Sequence, residues 1–145
     1  MNDTIKAPMK NPCGSCPYRC DSPSGLWSRD HYELLPEFDK PTHEQPMNPF
    51  GCHQNNGHLC AGWVATHDME QSLGLRTWLS FKQITIEVVD ACLNYSTTVP
   101  LFKSGQEAME HGLREFAEPS ERTKKIAAKL VKRGAVYGEA FEEGE

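Results

Sequence analysis

"NPCGSCPYRCD", residues Asn11–Asp21, places Cys13, Cys16 and Cys20 within eight residues. Three chemistries use such a cluster: a disulfide knot, a redox dithiol, or one half of a metal site. A redox C-x-x-C needs a strand before it and a helix N-terminus behind it to lower the first thiol's pKa. Here Pro12 precedes and Pro17 follows, and no strand pattern lies upstream. Metal ligation asks less of the flanks, because a short C-x-x-C turn converges two thiolates on one ion.

A closed four-sulfur site needs two more thiolates. They come after 35 intervening residues, as Cys52 and Cys60 in "FGCHQNNGHLC". Cys20 and His53 are reserve ligands. In an extended segment Cys52 and His53 point to opposite sides, which argues against both binding one ion. Cys92 lies in an apolar segment and reads as core. Zinc suits a closed tetrahedral sulfur site. An iron–sulfur cluster is the alternative, since it tolerates widely separated thiolates. Trp27 and Trp63 could shield a cluster or serve as ordinary core.

The intervening chain needs such a clasp. Eight of the ten prolines lie before residue 50, where they disfavour long helices and central strands. Apparent zinc binding energy in small sites is of order 10 kcal/mol, comparable to a domain's whole stability. One ion tying residues 13–16 to residues 52–60 would therefore order the proline-rich stretch.

The chain has 145 residues, enough for one domain with a core, although only 38% are hydrophobic. The net charge of -5 argues against coating nucleic acid through the overall field. No apolar run is long enough to span a bilayer, and the first residues lack a secretory h-region. These features point to the cytoplasm, or the host cytoplasm if the chain is phage-encoded. Clustered cysteines there are more often ligands than structural disulfides.

Ser28 should cap a short helix in "SRDHYELL" that Pro36 ends. A helix should open after Gly57 and carry Cys60, Trp63 and Val64. "LRTWLSF" reads as a short helical or extended piece. "QITIEVVDACL" is β-branched and alternates Ile84, Ile86 and Val88, which predicts a strand. Ser104 and Glu107 form a capping box for a helix to about Phe116. Pro119 should open a second helix, with Ile126, Ala127, Leu130 and Val131 as its apolar stripe and Gly134 as its stop. Residues 135–145 read as a frayed acidic tail. Along that last helix Arg122, Lys125, Lys129 and Lys132 recur on one face. They are candidates for contact with nucleic-acid phosphates or an acidic protein, against the plainer reading of a solvated face.

"CGSCPYRCDSPSGLW" and "FGCHQNNGHLCAGW" together resemble an uncharacterised family of small actinobacterial and bacteriophage proteins. Its pattern is a C-x-x-C-P-aromatic-Arg opening, a tryptophan, then Cys-His and C-x-G-W. The likeness covers about residues 11–66 and implies a metal held by Cys13, Cys16, Cys52 and Cys60, with Cys20 peculiar to this chain. It implies no activity. A comparison with small iron–sulfur transcription regulators of actinobacteria is one of chemistry alone. Their C-x-x-C is central, whereas here it comes first.

The expectation is a single α+β domain over residues 1–145, with a Cys-cluster metal-binding region at 11–66 and a helical C-terminal region at 104–134. Its expected role is a non-enzymatic binding or regulatory module acting on a protein or nucleic-acid partner, with no membrane partner. The alternatives are an iron–sulfur redox-responsive regulator and, with least support, a metal-dependent enzyme: no H-E-x-x-H or H-x-E spacing is present.

Overall fold

A computed structural model describes residues 5–52 and 57–132 of the chain. Helices α1 (Arg29–Leu34), α2 (Ala61–Thr66), α3 (Leu73–Ser80), α4 (Ile86–Leu93), α5 (Gly105–Arg114) and α6 (Glu121–Lys132) are joined by long loops and three single 3₁₀ turns. No strand occurs among the described residues, where extended pairing is confined to isolated bridges. The fold is helical, and the α+β expectation is corrected.

The correction rests on residues 83–93. This segment is α4, not a strand: the Thr85 hydroxyl accepts from the Val88 N–H at 3.2 Å and starts a helix. Alternation would put Ile84 and Ile86 on one face, yet Ile84 is 2% exposed and Ile86 54%. Burial instead follows the helical step, with half-buried Val88 and Val89 one turn before buried Cys92. A strand needs a partner to satisfy its ladder, and among the described residues no bridge pairs with this segment.

Other start signals act locally. Ser28 caps α1, and the chain tightens into a 3₁₀ turn at Leu35–Asp39 that contains Pro36. The α5 box closes with the Ser104 hydroxyl accepting from Glu107 N–H at 3.2 Å and Glu107 Oε1 accepting from Lys103 N–H at 3.0 Å. Helix α6 starts two residues later than Pro119 suggests. Ser120 supplies its cap, because its hydroxyl accepts from Thr123 N–H. Ala127 is buried and Ile126 packs on the core. The side chains of Leu130 and Val131, Gly134 and the acidic tail lie outside the described residues.

Helix α5 lies across α1 and its following turn. Gly112 permits this, since any Cβ there would enter the Tyr32 ring. The Tyr32 hydroxyl accepts from the N–H groups of Leu26 and Trp27, both at 3.0 Å. Ser24 ties the end of α5 to the start of α6. Its hydroxyl accepts from Glu115 N–H at 2.8 Å, and its carbonyl accepts from the buried Thr123 hydroxyl at 3.0 Å. The loop-rich N-terminal half is thus the surface on which the C-terminal helices are built.

Candidate metal centre

The C-x-x-C closes as a turn, with Cys16 N–H donating to the Cys13 carbonyl at 2.9 Å. Each motif neighbour holds that turn. Trp27 Nε1–H donates to the Ser15 carbonyl at 2.8 Å, and an Arg19 guanidinium nitrogen donates to the Pro12 carbonyl at 3.1 Å. Arg19 is itself fixed by two 2.8 Å bonds to the Asp21 carboxylate. Tyr18 is fully buried, with its ring edge-on to Phe50.

Cys52 and Cys60 lie on paired segments. Cys52 N–H donates to the His58 carbonyl and Cys60 N–H to the Phe50 carbonyl, both at 2.9 Å, flanking the antiparallel Gly51–Leu59 bridge. By strand alternation Gly51 and Leu59 share one face, so Cys52 and Cys60 share the other. His58 Nδ1 lies 2.8 Å from the Ala7 carbonyl and fastens the N-terminal segment beside the pair. Cys60 is also the N-cap of α2, where its sulfur accepts from Trp63 N–H at 3.4 Å. N–H groups aimed at sulfur favour the thiolate.

The two halves meet. Cys16 Sγ stands 3.7 Å from Cys60 Sγ. Cys16 and Cys52 both act on the Cys13 thiol, in opposite directions. Cys13, Cys16, Cys52 and Cys60 thus lie in one neighbourhood. They are not drawn into a tighter group: no three His, Cys, Asp or Glu side chains among the described residues stand gathered as a metal site. For a tetrahedral ion with Zn–S near 2.3 Å, ligand sulfurs sit about 3.8 Å apart. The Cys16–Cys60 separation fits one ion. A [4Fe–4S] cluster holds each thiolate on a different iron and spreads them further, whereas a [2Fe–2S] cluster places two thiolates on each iron.

Gly62 makes the closest of these approaches possible. A Cβ on it would lie 2.5 Å from Cys16 Sγ and 2.9 Å from Tyr18 Cβ. The glycine of C-x-G-W thus leaves room for the sulfur of the other half.

Electrostatics favour a cation here. The contact with Cys16 raises the Cys13 thiol to about 11, with burial adding to the rise and Cys52 opposing it. At Cys16 the Cys13 thiol lowers the value, but the Cys60 contact and burial outweigh it and leave the group well above the ordinary thiol range. Crowded thiolates repel one another unless a positive ion sits among them. The Tyr18 hydroxyl is buried without a hydrogen-bond partner among the described residues. Burial first, then Cys60 and Cys16, hold it in the neutral form.

The remaining sequence candidates are dispersed. Cys20 is exposed, with its N–H donating to the Pro100 carbonyl. His53 lies outside the described residues. Cys92 is buried on α4, and burial raises its thiol to about 11. On α6, Arg122 donates to the Asp21 carbonyl at 2.9 Å. Lys125 and Lys129 are exposed, and the Lys132 side chain lies outside the described residues.

Sequence reasoning missed a latch beside the cysteines. Asp39 accepts from the N–H groups of Gly105 and Gln106 at 2.8 and 2.9 Å and pairs with His67 Nε2 at 2.8 Å. His67 Nδ1 faces the Trp63 carbonyl at 3.0 Å. Both ring nitrogens are thus engaged within the protein. The latch borders a cleft of about 380 Å³ that is also lined by Thr66, whose buried hydroxyl has no hydrogen-bond partner among the described residues. Gln45 is bonded to Leu73 N–H and the Lys40 carbonyl, and the hydroxyls of Ser72 and Ser104 cap α3 and α5. An Asp 28 residues before its His carries no local spacing signal.

Among the described residues no helix is long and apolar enough to cross a membrane. Neither the curated proteins nor the solved structures contain a match to this chain. A family model does match, over residues 8–132, which takes in all six cysteines and every helix above. The chain belongs to DUF6283, a family of unknown function.

Proposed function

We propose that this protein is a non-enzymatic, metal-stabilised binding or regulatory module in which Cys13, Cys16, Cys52 and Cys60 hold one zinc ion. The observation that carries this reading is the meeting of two distant cysteine pairs, with buried Cys16 and Cys60 sulfurs 3.7 Å apart. Four thiolates and no spare position describe a structural zinc site, in which the ion supplies cross-linking energy. The same spacing weighs against a [4Fe–4S] cluster. The engagement of both His67 ring nitrogens beside the neighbouring cleft weighs against a metal-dependent enzyme.

The partner is a protein or nucleic acid met in the cytoplasm, and the exposed Lys125 and Lys129 of α6 are the contact we assign to it. Family relatives would be small actinobacterial and phage proteins that share the C-x-x-C-P-aromatic-Arg opening. Metal analysis of protein purified without air tests the reading. The expected result is a colourless protein with one zinc per chain, and Cys60→Ser should lose the ion and the fold together. Brown protein containing iron and sulfide would replace zinc with the cluster. Unchanged nucleic-acid or protein binding after Lys125→Glu and Lys129→Glu would remove α6 from the contact.

A further inference from the structure

Helix α4 carries more apolar side chains than its packing uses. It packs against α3 and the 3₁₀ turn at Met69–Gln71, burying Cys92 and half-burying Val88 and Val89. Ile86 and Leu93 stay outside, 54% and 44% exposed. Leu93 follows Ile86 by seven residues, so the two fall within about 20° of one line along the helix and about 10 Å apart. An isolated exposed apolar side chain is ordinary on a protein surface. Two in register on one helix make a stripe, which is the feature that helix-on-helix recognition reads. The stripe has an acidic border. Glu87 and Asp90 follow it on one side, both exposed, and neither carboxylate is paired with a cation among the described residues. Lys82 stands in the connecting turn, before the stripe begins.

We propose that the outer face of α4 docks an amphipathic, basic helix of another protein, with Ile86 and Leu93 as the anchors and Glu87 and Asp90 as the charge partners. The charges choose this occupant. A second copy related by a two-fold axis would lay α4 on α4, and in either orientation Asp90 would come close to its own counterpart. Like charges brought together across an interface oppose such pairing. An anionic lipid surface meets the same repulsion. An extended peptide finds no strand edge here, because the backbone groups of α4 are spent within the helix. A helix with apolar side chains two turns apart, and Lys or Arg beside them, satisfies both the stripe and its border. This surface lies on a different helix from Lys125 and Lys129, and it does not depend on bound zinc.

The test uses full-length protein and two synthetic helical peptides. One has leucines at alternating three- and four-residue steps with lysines elsewhere, and the other has glutamates in place of the lysines. Fluorescence anisotropy at physiological salt should show one lysine peptide bound per chain, and binding of the glutamate peptide at least about tenfold weaker. Ile86→Ser with Leu93→Ser should weaken the lysine peptide at least about tenfold, and Glu87→Gln with Asp90→Gln about tenfold. The net charge of -5 attracts any cation, so Glu33→Gln with Glu118→Gln removes the same charge from elsewhere and should leave binding within about twofold. All six side chains are exposed, and each variant should melt with the parent. If the serine pair unfolds, the comparison of the two charge pairs decides. No binding of the lysine peptide, binding that survives the Ile86 and Leu93 changes, or an equal loss in the remote charge pair would overturn the proposal. So would self-association that Leu93→Ser abolishes, or binding confined to anionic vesicles, because each gives the face a different occupant.

Discussion

Gly62 tests the account at the scale of a single atom. The Cys16 sulfur occupies the place a Cβ would take. Gly62→Ala should therefore cost about 1–3 kcal/mol, the usual penalty of overpacking a closed core. It should also lower zinc content, because the displaced atom is one of the proposed ligands. Gly14→Ala, in the C-x-x-C turn itself, meets nothing within 4 Å and should stay within about 0.5 kcal/mol of the parent. Thermal melting with metal analysis reads both variants. Equal behaviour of the two would mean that Cys16 does not sit over Gly62. Spacing alone suggested that Cys13, Cys16, Cys52 and Cys60 form a set. It gave no hint of Gly62, whose role appears only when the other half of the chain lies on it.

At the scale of elements, legibility followed the range of the forces. Capping is local, so Ser28 and the Ser104–Glu107 box could be read directly. The segment 83–93 could not, because its β-branched residues favour a strand and only Thr85 and its tertiary burial turn it into α4. The paired segments around Cys52 and Cys60 were equally hidden. They are held by isolated bridges to each other and to Lys6, with no alternating run to betray them. Asp39 is the long-range element lock, joining the turn after α1, the start of α5 and His67 at the end of α2. Asp39→Ala should cost about 2–3 kcal/mol, since it strands two helix N–H groups and the imidazole. Urea denaturation measures it. A loss under about 0.5 kcal/mol would show the lock to be superficial.

For the whole molecule, the proposed zinc ion would supply the missing tie of a chain poor in apolar residues. Two of the four thiols have clearly raised values, Cys13 to about 11 and Cys16 well above the ordinary range. At neutral pH the metal-free protein therefore carries protons on both, and zinc must displace them. Zinc affinity should rise at least about 100-fold per pH unit across pH 6–8, as measured by competition with a chelator of known affinity. An affinity independent of pH would mean that these thiols are not ligands. The metal-free protein has the opposite slope in alkali. Its raised thiols favour folding below the ordinary thiol value, and that contribution is lost as pH climbs from there through about 11. Chelation should loosen the Cys-rich loops and α5 together, because α5 packs on α1 and the turn that follows it.

The claim on which the rest depends is that four sulfurs from two distant segments surround one zinc ion. X-ray absorption at the zinc edge counts those neighbours directly. The account predicts four sulfur atoms at about 2.3 Å and no lighter atom in the shell. A shell containing nitrogen or oxygen, or a protein whose metal is iron beside sulfide, would contradict it.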